Sequence, residues 1–420
     1  MAHGTPQQFR PHPYEEGTER KMLAGVKVLD FTQYLAGPTA TRLMAELGAE
    51  IIKAEQAPGG DPSRALPFLK DGRSVYFIQQ NRGKKSLCVD FSKPAGVELI
   101  RALIPQVDVV IENYGPGVLE KRGLDYAALQ QLNPRLIMCS ISAFGRQSPL
   151  SHLTGYDYIA QAFSGIMHMT GDPDGPPRFV GVALADGTAG VHAFAALGYA
   201  LLHRDRTGQG QYIDISMVDA LYHMQSVEVQ MFAASEGKYK PMRFGVHHYM
   251  SCPQGVFKGP QGYLVILALD RQWPNVARAL GKPELATDPR FATAGRRGKN
   301  QKELIALIET WLQSFPTDEA ALQALAEHRV PAGPVLSIEE TITHPYFVAR
   351  HMVRQVPDRI LGEVTIPGFP FKFSAFPKEL DLDAPVLGEH NEEVLTRYLG
   401  RSQATIAALY KQGVLHKGNR

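Results

Sequence analysis

The chain has 420 residues, of which 44% are hydrophobic and 20% are charged, and its formal net charge at pH 7 is +2. These values are typical of a folded globular protein, exclude a disordered or fibrous chain, and provide no overall field that would favour nucleic acid. Because single cores stop growing at about 250–300 residues, the length predicts two domains. The apolar runs fall short of the ~18 residues that a membrane-spanning helix needs, so we expect no contact with membranes.

Residues 1–21 are polar and lack the apolar core of a signal peptide, so they are predicted to form a disordered extension. The three cysteines, Cys88, Cys139 and Cys252, are widely spaced and form neither a zinc pattern nor a disulfide framework. Cys88 and Cys139 lie in apolar, strand-like runs and are predicted to be buried thiols. Together these features predict a cytoplasmic protein.

From residue 23 onward, short runs of β-formers alternate with stretches of helical periodicity. Strands are predicted at 26–31, 50–55, 85–91, 108–112 and 135–141, and helices at 39–47, 94–103 and 124–132. This alternation predicts a large doubly wound, Rossmann-like α/β domain with a mostly parallel sheet. Ligands of such sheets bind beyond the carboxyl ends of the strands, so we expect a site among the loops 32–38, 56–64 and 113–117.

The middle of the chain is dominated by helices. They are predicted at 158–169, 188–204 and 217–232, with a strand at 212–215. Because residues 188–204 are apolar on nearly all sides, that helix is expected to be buried.

Composition then changes, and the predicted domain boundaries follow this change. The large domain covers 22–235, a smaller α+β domain with a hairpin at 255–266 covers 250–345, the linkers are 236–249 and 346–374, and 375–420 return to complete the large domain.

Several common sites are disfavoured by the residues themselves. The loop after the first strand has Gly37 followed by Pro38 rather than G-x-G-x-x-G, and no P-loop pattern occurs, so nicotinamide and ATP chemistry are improbable. His247 and His248 are adjacent and therefore diverge on either a strand or a helix. No metal site is predicted.

Asp186 is the residue with the clearest chemical potential, because it lies in an otherwise uncharged stretch just before the predicted helix 188–204. One interpretation is structural, since an aspartate at this position is a good N-cap. The other is functional: the helix dipole would keep the carboxylate ionised, and a water-shielded carboxylate is a usable nucleophile toward an activated acyl group. The residues alone leave both interpretations open.

A set of motifs resembles the family III CoA-transferases, the formyl-CoA and carnitine-CoA transferase type. The matching segments are 23–31, 36–38, 47–55, 60–61, 81–86, Asp90, 112–117, 132–135, Asp186 and 207–211, followed by weaker similarity at 288–291, 330–335 and 387–391. Their joint order and spacing are specific, and they extend over nearly the whole chain.

The resemblance implies that Asp186 is the nucleophile. It would attack an acyl-CoA thioester to give an aspartyl–acyl anhydride, then an aspartyl-CoA thioester, from which CoA passes to an acceptor carboxylic acid. CoA acts as a substrate, and no permanently bound cofactor is implied. The implied CoA contacts are Ala36, Gln56, Val89, Asp90, Phe91, Ser92, Asn113, Tyr114, Gly115, Lys121, Arg122, Thr154, Gly155, Tyr156 and Asp157.

Departures from the family pattern bear on the substrate. Leu35 stands where formyl-CoA transferases carry a glutamine, which disfavours formyl-CoA/oxalate exchange and leaves succinyl-CoA as one possible donor. The related 2-methylacyl-CoA racemases carry a histidine where this chain has Tyr156, so the racemase alternative lacks its base. A non-catalytic acyl-CoA-binding protein is the third alternative, disfavoured by the presence of Asp186. Family resemblance further implies an interlocked homodimer, with the excursion near Glu236.

Overall fold

The computed structural model describes residues 21–66, 68–374, 376, 380 and 382–418. Residues 1–20 of the predicted extension lie outside this range. The described chain divides into two compact units. The first contains the residues up to Ser164, Gly181–Ser226, and those from Val348 onward; the second contains Gly165–Val180 and Val227–Phe347.

Strands and helices are numbered separately in the order in which they follow one another along the chain. The strands are β1 Lys27–Asp30, β2 Glu50–Gln56, β3 Leu69–Lys70, β4 Arg73–Ser74, β5 Lys84–Val89, β6 Val109–Glu112, β7 Ile137–Ser142, β8 Gln211–Ser216, β9 Gln254–Lys258, β10 Tyr263–Leu267, β11 Ala332–Pro334, β12 Val353–Asp358 and β13 Gly362–Pro367. The α-helices are α1 Ala36–Glu46, α2 Val75–Asn81, α3 Pro94–Leu103, α4 Tyr126–Leu129, α5 Asp157–Phe163, α6 Ile166–Met169, α7 Leu184–Thr207, α8 Met217–His223, α9 Glu228–Ala234, α10 Trp273–Ala279, α11 Ala294–Lys299, α12 Gln301–Leu312, α13 Asp318–Glu327, α14 Ile338–Thr343, α15 Pro345–Ala349, α16 Asn391–Leu399 and α17 Gln403–Lys411.

The first unit is built on a six-stranded parallel sheet of order β5-β2-β1-β6-β7-β8. Its central strand β1 is apolar and buried, and Leu29 lies opposite Ile52 on one side and Val110 on the other. Helices that follow the strands cover both faces, as expected for strands that carry apolar side chains on each face. This mixed α/β architecture with a parallel central sheet confirms the predicted fold class of the large domain.

The C-terminal segment packs beside the edge strand β5 of the same unit. The side-chain oxygen of Asn391 accepts a hydrogen bond from the Cys88 backbone N–H at 2.8 Å, and the Cys88 carbonyl accepts one from His416 at 3.1 Å. Val394 and Leu409 belong to the main hydrophobic core. Cys88 and Cys139 are fully buried, which confirms that prediction.

The second unit contains an antiparallel sheet of order β11-β10-β9. Its core is formed by Phe257, Leu264, Trp273, Phe291 and Ile308, which come from the sheet and from the helices and connections around it. The predicted hairpin at 255–266 is present as β9 and β10.

Three predicted elements are wrong in detail. The helix at 158–169 is interrupted, because Gly165 adopts a left-handed φ of 89° between α5 and α6. The helix at 217–232 divides into α8 and α9, and near the break Gln225 donates its side-chain amide to the Ser164 carbonyl at 2.5 Å. Residues expected to be linker form the hairpin of β12 and β13.

Helix α7 is longer than predicted and is not buried on all sides. It begins at Leu184, four residues before the predicted start, and one stripe that includes Ala189 and Leu197 is buried. Tyr199 on the opposite side is 76% exposed in the single chain. The burial expected from composition is therefore wrong for the chain as described. Among the described residues no helix is long and apolar enough to span a membrane.

Candidate functional site

A cavity of about 170 Å³ lies at the carboxyl edge of the parallel sheet, beyond β1, β6 and β7. Its lining brings together Asp186 and seven of the predicted CoA contacts: Ala36, Asn113, Tyr114, Gly115, Thr154, Gly155 and Tyr156. The α/β topology explains this convergence, since the loops after parallel strands all emerge at one edge. Leu35 and Met217 also line the cavity.

Asp186 is the third residue of α7 rather than its N-cap. The residue before the helix is Ala183, which provides no side-chain cap. The N-cap interpretation of Asp186 is therefore wrong. The N–H groups at the start of a helix have no partner within it. Those of Ala185 and Asp186 donate instead to another carboxylate, since Asp157 Oδ1 accepts both of them at 2.6 Å and 3.0 Å.

The Asp186 carboxyl is an unusually weak acid in this environment. Burial, followed by the charge of Asp157, raises the pKa of Asp186 to about 7. The expectation that the helix dipole keeps it fully ionised is therefore wrong, because desolvation and a like charge outweigh the dipole. Near neutral pH the carboxyl is divided between its protonated and ionised forms.

Glycines permit the close packing that places the loop after β1 against Asp186. A Cβ at Gly190 would lie 2.4 Å from the Ala36 carbonyl oxygen and 2.7 Å from the Thr39 Cβ, so α1 and α7 touch through their backbones. A Cβ at Gly187, by contrast, would meet no atom within 4 Å. The turn that carries Asp186 is thus packed on one side and open on the other.

Two loops of the cavity are joined through their amides. Asn113 accepts the Gln33 backbone N–H at 2.8 Å and donates to the Gln33 carbonyl at 2.9 Å. The Gln33 side chain donates to the Tyr114 hydroxyl at 2.9 Å. Arg146 donates to the Tyr114 carbonyl at 2.6 Å and pairs with the buried Glu112. These bonds hold the loop after β6 in a defined position.

The loop after β2 is fixed by a buried ion pair. Lys53 Nζ lies 2.9 Å from Asp61 Oδ2 and donates to the Thr32 carbonyl at 2.6 Å. Asp61 Oδ1 accepts the backbone N–H of Tyr34 at 3.3 Å. Tyr34 has a φ of 62°, which is rare for a residue with a bulky side chain. The ion pair therefore supports a strained conformation at the edge of the cavity.

The remaining predicted CoA contacts form a neighbouring group that does not line this cavity. Gln56 donates to Asp90 Oδ1 at 2.7 Å, and the same oxygen accepts the Ser92 backbone N–H at 3.0 Å. The side chains of Val89 and Phe91 are in the core, so any ligand contact there would use their backbone. Arg122 and Lys121 follow the loop after β6. Arg122 Nε donates to the Phe91 carbonyl at 3.0 Å, and Lys121 is exposed.

Asp157 and Tyr76 show where the residue-by-residue prediction was incomplete. Asp157, predicted as a CoA contact, has both oxygens engaged within the protein, since Oδ2 accepts the Gln161 side-chain amide at 2.6 Å. Tyr76, which was not predicted, lies close to Asp186. Burial is the larger cause that raises the pKa of the Tyr76 phenol, and the negative charge of Asp186 is the next. In the sequence, Tyr76 lies between two motifs of the family resemblance, 60–61 and 81–86, neither of which contains it.

Among the described residues, no group of three or more histidine, cysteine, aspartate or glutamate side chains is arranged to hold a metal ion.

Comparisons with known proteins identify the relatives of this chain. The family model described as CoA-transferase family III matches residues 23–391. The succinyl-CoA--D-citramalate CoA-transferase of Chloroflexus aurantiacus is 35% identical, with 94% of this chain and 98% of that protein covered. The formyl-CoA:oxalate CoA-transferase of Streptomyces coelicolor is also 35% identical, with 94% and 99% covered.

A solved structure shows the same likeness in three dimensions. The crystal structure of a CAIB/BAIF family protein from Brucella suis has a TM-score of 0.80 and 36% identity, and covers 90% of this chain and 100% of that one. The family match and these relatives define the class of protein as a CoA-transferring α/β enzyme. The chain belongs to CoA-transferase family III.

Proposed function

We propose that this enzyme moves CoA from an acyl-CoA donor to a free carboxylic acid, with Asp186 as the covalent nucleophile. The observation that carries the proposal is the Asp186 carboxylate in a cavity lined by three loops of the sheet's carboxyl edge. Burial raises the pKa of Asp186 to about 7. A poorly solvated, more basic carboxylate is a better nucleophile toward a thioester than an ordinary one.

The proposed reaction exchanges one activated acyl bond for another. The Asp186 carboxylate attacks the thioester carbonyl, the C–S bond breaks, and an aspartyl–acyl anhydride and CoA thiolate form. The thiolate then attacks the aspartyl carbonyl of the anhydride, which releases the donor acid as a carboxylate and leaves aspartyl-CoA. The acceptor carboxylate and the thiolate repeat these two steps in reverse order. The new acyl-CoA leaves and Asp186 is free again.

The open side of the Asp186 turn suits this chemistry. The space beside Gly187 leaves room for an acyl group next to the carboxylate. Both intermediates would hydrolyse in bulk water, so the site has to exclude solvent during the reaction. The apolar Leu35 and Met217 in the lining support such exclusion.

We place CoA along the carboxyl edge, with the thioester near the 154–157 loop and the nucleotide end near the Asp90–Ser92 turn and Lys121. Exposed Lys121 supplies a positive charge for a phosphate. The assignment of the individual contacts, including Gln56 and Arg122, belongs to this proposal.

Succinyl-CoA is the donor that we favour. The Chloroflexus relative and the mouse succinyl-CoA:glutarate CoA-transferase carry succinyl-CoA in their names, whereas the Streptomyces relative, which is also 35% identical, carries formyl-CoA. The preference therefore rests on the cavity lining. Leu35, at the position of a glutamine in formyl-CoA transferases, lies in the cavity lining beside Asp186. An apolar side chain there favours a longer acyl group over formyl.

We further propose an interlocked homodimer in the cytoplasm, with a large domain at 22–235 completed by 375–420 and a small domain at 250–345. The exposed apolar side of α7, which includes Tyr199, supports burial against a second copy. The three buried thiols are compatible with a reducing compartment.

A trapping experiment tests the nucleophile. Purified enzyme is incubated with succinyl-CoA and a panel of carboxylic acids, and CoA esters are identified by mass spectrometry. Hydroxylamine added with the donor should convert Asp186 to its hydroxamate on the peptide that contains residues 181–190, because an anhydride or aspartyl thioester is readily cleaved by a strong nucleophile. Asp186→Asn should show neither transfer nor trapping. Full turnover by this variant, or an active wild-type enzyme that hydroxylamine reaches but leaves unmodified, would refute the assignment.

A further inference from the structure

Two carboxylates, Asp186 and Asp157, lie at the N-terminus of α7, and they come from different helices. Asp186 belongs to the helix and lines the cavity. Asp157 comes from the start of α5 and accepts the backbone N–H groups of Ala185 and Asp186. Ordinary helices are capped by the residue that precedes them, which in α7 is Ala183. The backbone of the nucleophile is therefore held by a residue distant in sequence.

Asp157 is itself held rigidly. Only 7% of the surface of Asp157 is exposed, and its second oxygen accepts the amide of the fully buried Gln161. Just before it, a Cβ at Gly155 would lie 2.7 Å from the Ala143 Cβ, so the loop that leads into α5 packs tightly against the chain after β7. A buried carboxylate with both oxygens engaged is placed to support the helix rather than to bind a mobile ligand.

We propose that Asp157 is a positioning residue for the transfer reaction: its carboxylate accepts the N–H groups of Ala185 and Asp186 and so fixes the backbone that carries the nucleophile. This inference rests on the proposed function of Asp186. It differs from the role that the family resemblance implied for Asp157, which was contact with CoA.

Electrostatics support the geometric argument. The Asp157 charge is one of the two causes that raise the pKa of Asp186, the larger being burial. Among the described residues, the other titratable side chains that line the cavity or act on Asp186 are phenols: Tyr76 from α2, and Tyr34, Tyr114 and Tyr156 from the cavity loops. The carboxylate of Asp61 acts on Tyr76 and Tyr34 and is paired with Lys53. Asp157 is thus the nearby carboxylate whose removal should lower the pKa of Asp186.

The substitution Asp157→Asn separates charge from hydrogen bonding. An asparagine oxygen can still accept the N–H groups of α7. Its NH2 group replaces the oxygen that accepts the Gln161 amide, and a half-turn of that amide restores a hydrogen bond there, so the fold should persist while the charge is lost. We expect the acid limb of the kcat/KM profile to move to lower pH. We also expect kcat to fall about tenfold or more while KM for the acyl-CoA stays within about twofold, since a misplaced or less basic nucleophile slows chemistry more than binding.

Asp157→Ser and Asp219→Asn serve as companion variants. Serine keeps one acceptor but shortens the reach to α7, so it should lose more kcat than asparagine. Asp219 is the third residue of α8, as Asp186 is of α7, and it is exposed. Asp219→Asn therefore removes a carboxylate at an equivalent helical position and should leave kcat and its pH profile unchanged.

A second measurement does not depend on activity. The stability that Asp186→Asn adds to the enzyme is measured against pH, once in the wild-type background and once with Asp157→Asn. In the second background the gain should be smaller and should level off at a lower pH, because only the folded-state pKa of Asp186 depends on Asp157. If Asp186 is not the nucleophile, hydroxylamine trapping fails while this shift persists. If Asp157 is only a CoA contact, Asp157→Asn should raise KM and leave unchanged both the pH profile of kcat/KM and the pH dependence of the stability gain. That result would overturn the positioning role.

Discussion

Replacing the nucleophile should make the enzyme more stable, and the size of the effect follows from the raised pKa of Asp186. Folding moves this carboxyl from an ordinary pKa of 3.8 to about 7. Each unit of pKa difference between the folded and unfolded states corresponds to about 1.4 kcal/mol. Ionised Asp186 therefore destabilises the fold by at most ~4 kcal/mol. Allowing for its partial exposure, we expect Asp186→Asn to add ~2–4 kcal/mol above pH 7, since the neutral amide does not carry this cost.

The sign and the pH window are specific. Below pH 3.8 the carboxyl is protonated in both states and ionisation costs nothing. As the pH rises toward 7, the unfolded chain ionises first, and stability is lost until the folded carboxyl ionises as well. The gain from Asp186→Asn should therefore be full at pH 8 and about a quarter of that at pH 4.5.

Thermal unfolding at these two pH values is the assay. At pH 8 the melting temperature of Asp186→Asn should exceed that of the wild type by roughly 2–5 °C, because in a chain of 420 residues each kcal/mol corresponds to about 1 °C. Asp219→Asn, which removes an exposed carboxylate from the third position of α8, should show no such gain. A loss of stability in Asp186→Asn at pH 8, or an equal gain at both pH values, would refute the argument from desolvation.

Two further predictions concern catalysis and packing. The kcat/KM profile of the wild-type enzyme should be half-maximal near pH 7 and fall tenfold per unit below it, because only ionised Asp186 attacks; an acid limb near pH 4 would contradict the raised pKa. Gly190→Ala should cost ~1–3 kcal/mol of unfolding free energy and lower activity, since the new Cβ would meet the Ala36 carbonyl oxygen at 2.4 Å. Gly198→Ala on the same helix meets no atom within 4 Å and should be neutral or stabilising in the same chemical denaturation experiment.

The order of elements in the large unit was accessible from the sequence because short-range patterns dictate it. Runs such as 50–55 and 135–141 combine β-branched residues with continuous hydrophobicity, and the observed strands β2 and β7 lie within two residues of them at each end. Alternation with helices then implies a parallel sheet and a site at its carboxyl edge. Asn113, Tyr114 and Gly115 lie there because they follow a strand of that sheet.

Interruptions of helices were harder to predict, because they depend on contacts between distant residues. Residues 158–169 have continuous helical periodicity, and only the left-handed conformation of Gly165 divides them. The start of α7 was missed for a similar reason. Its first residues gain a cap from Asp157, which lies 28 residues away from Ala185.

The sequence by itself therefore determined the family, the parallel α/β architecture and the presence of one carboxylate near the start of a long helix. The tertiary structure decided what surrounds that carboxylate. Burial and the approach of Asp157 raise the pKa of Asp186, and both depend on how helices α5 and α7 pack. Hydrogen bonds and charges act over a few ångströms in space, whereas periodicity and motif spacing record only neighbours along the chain.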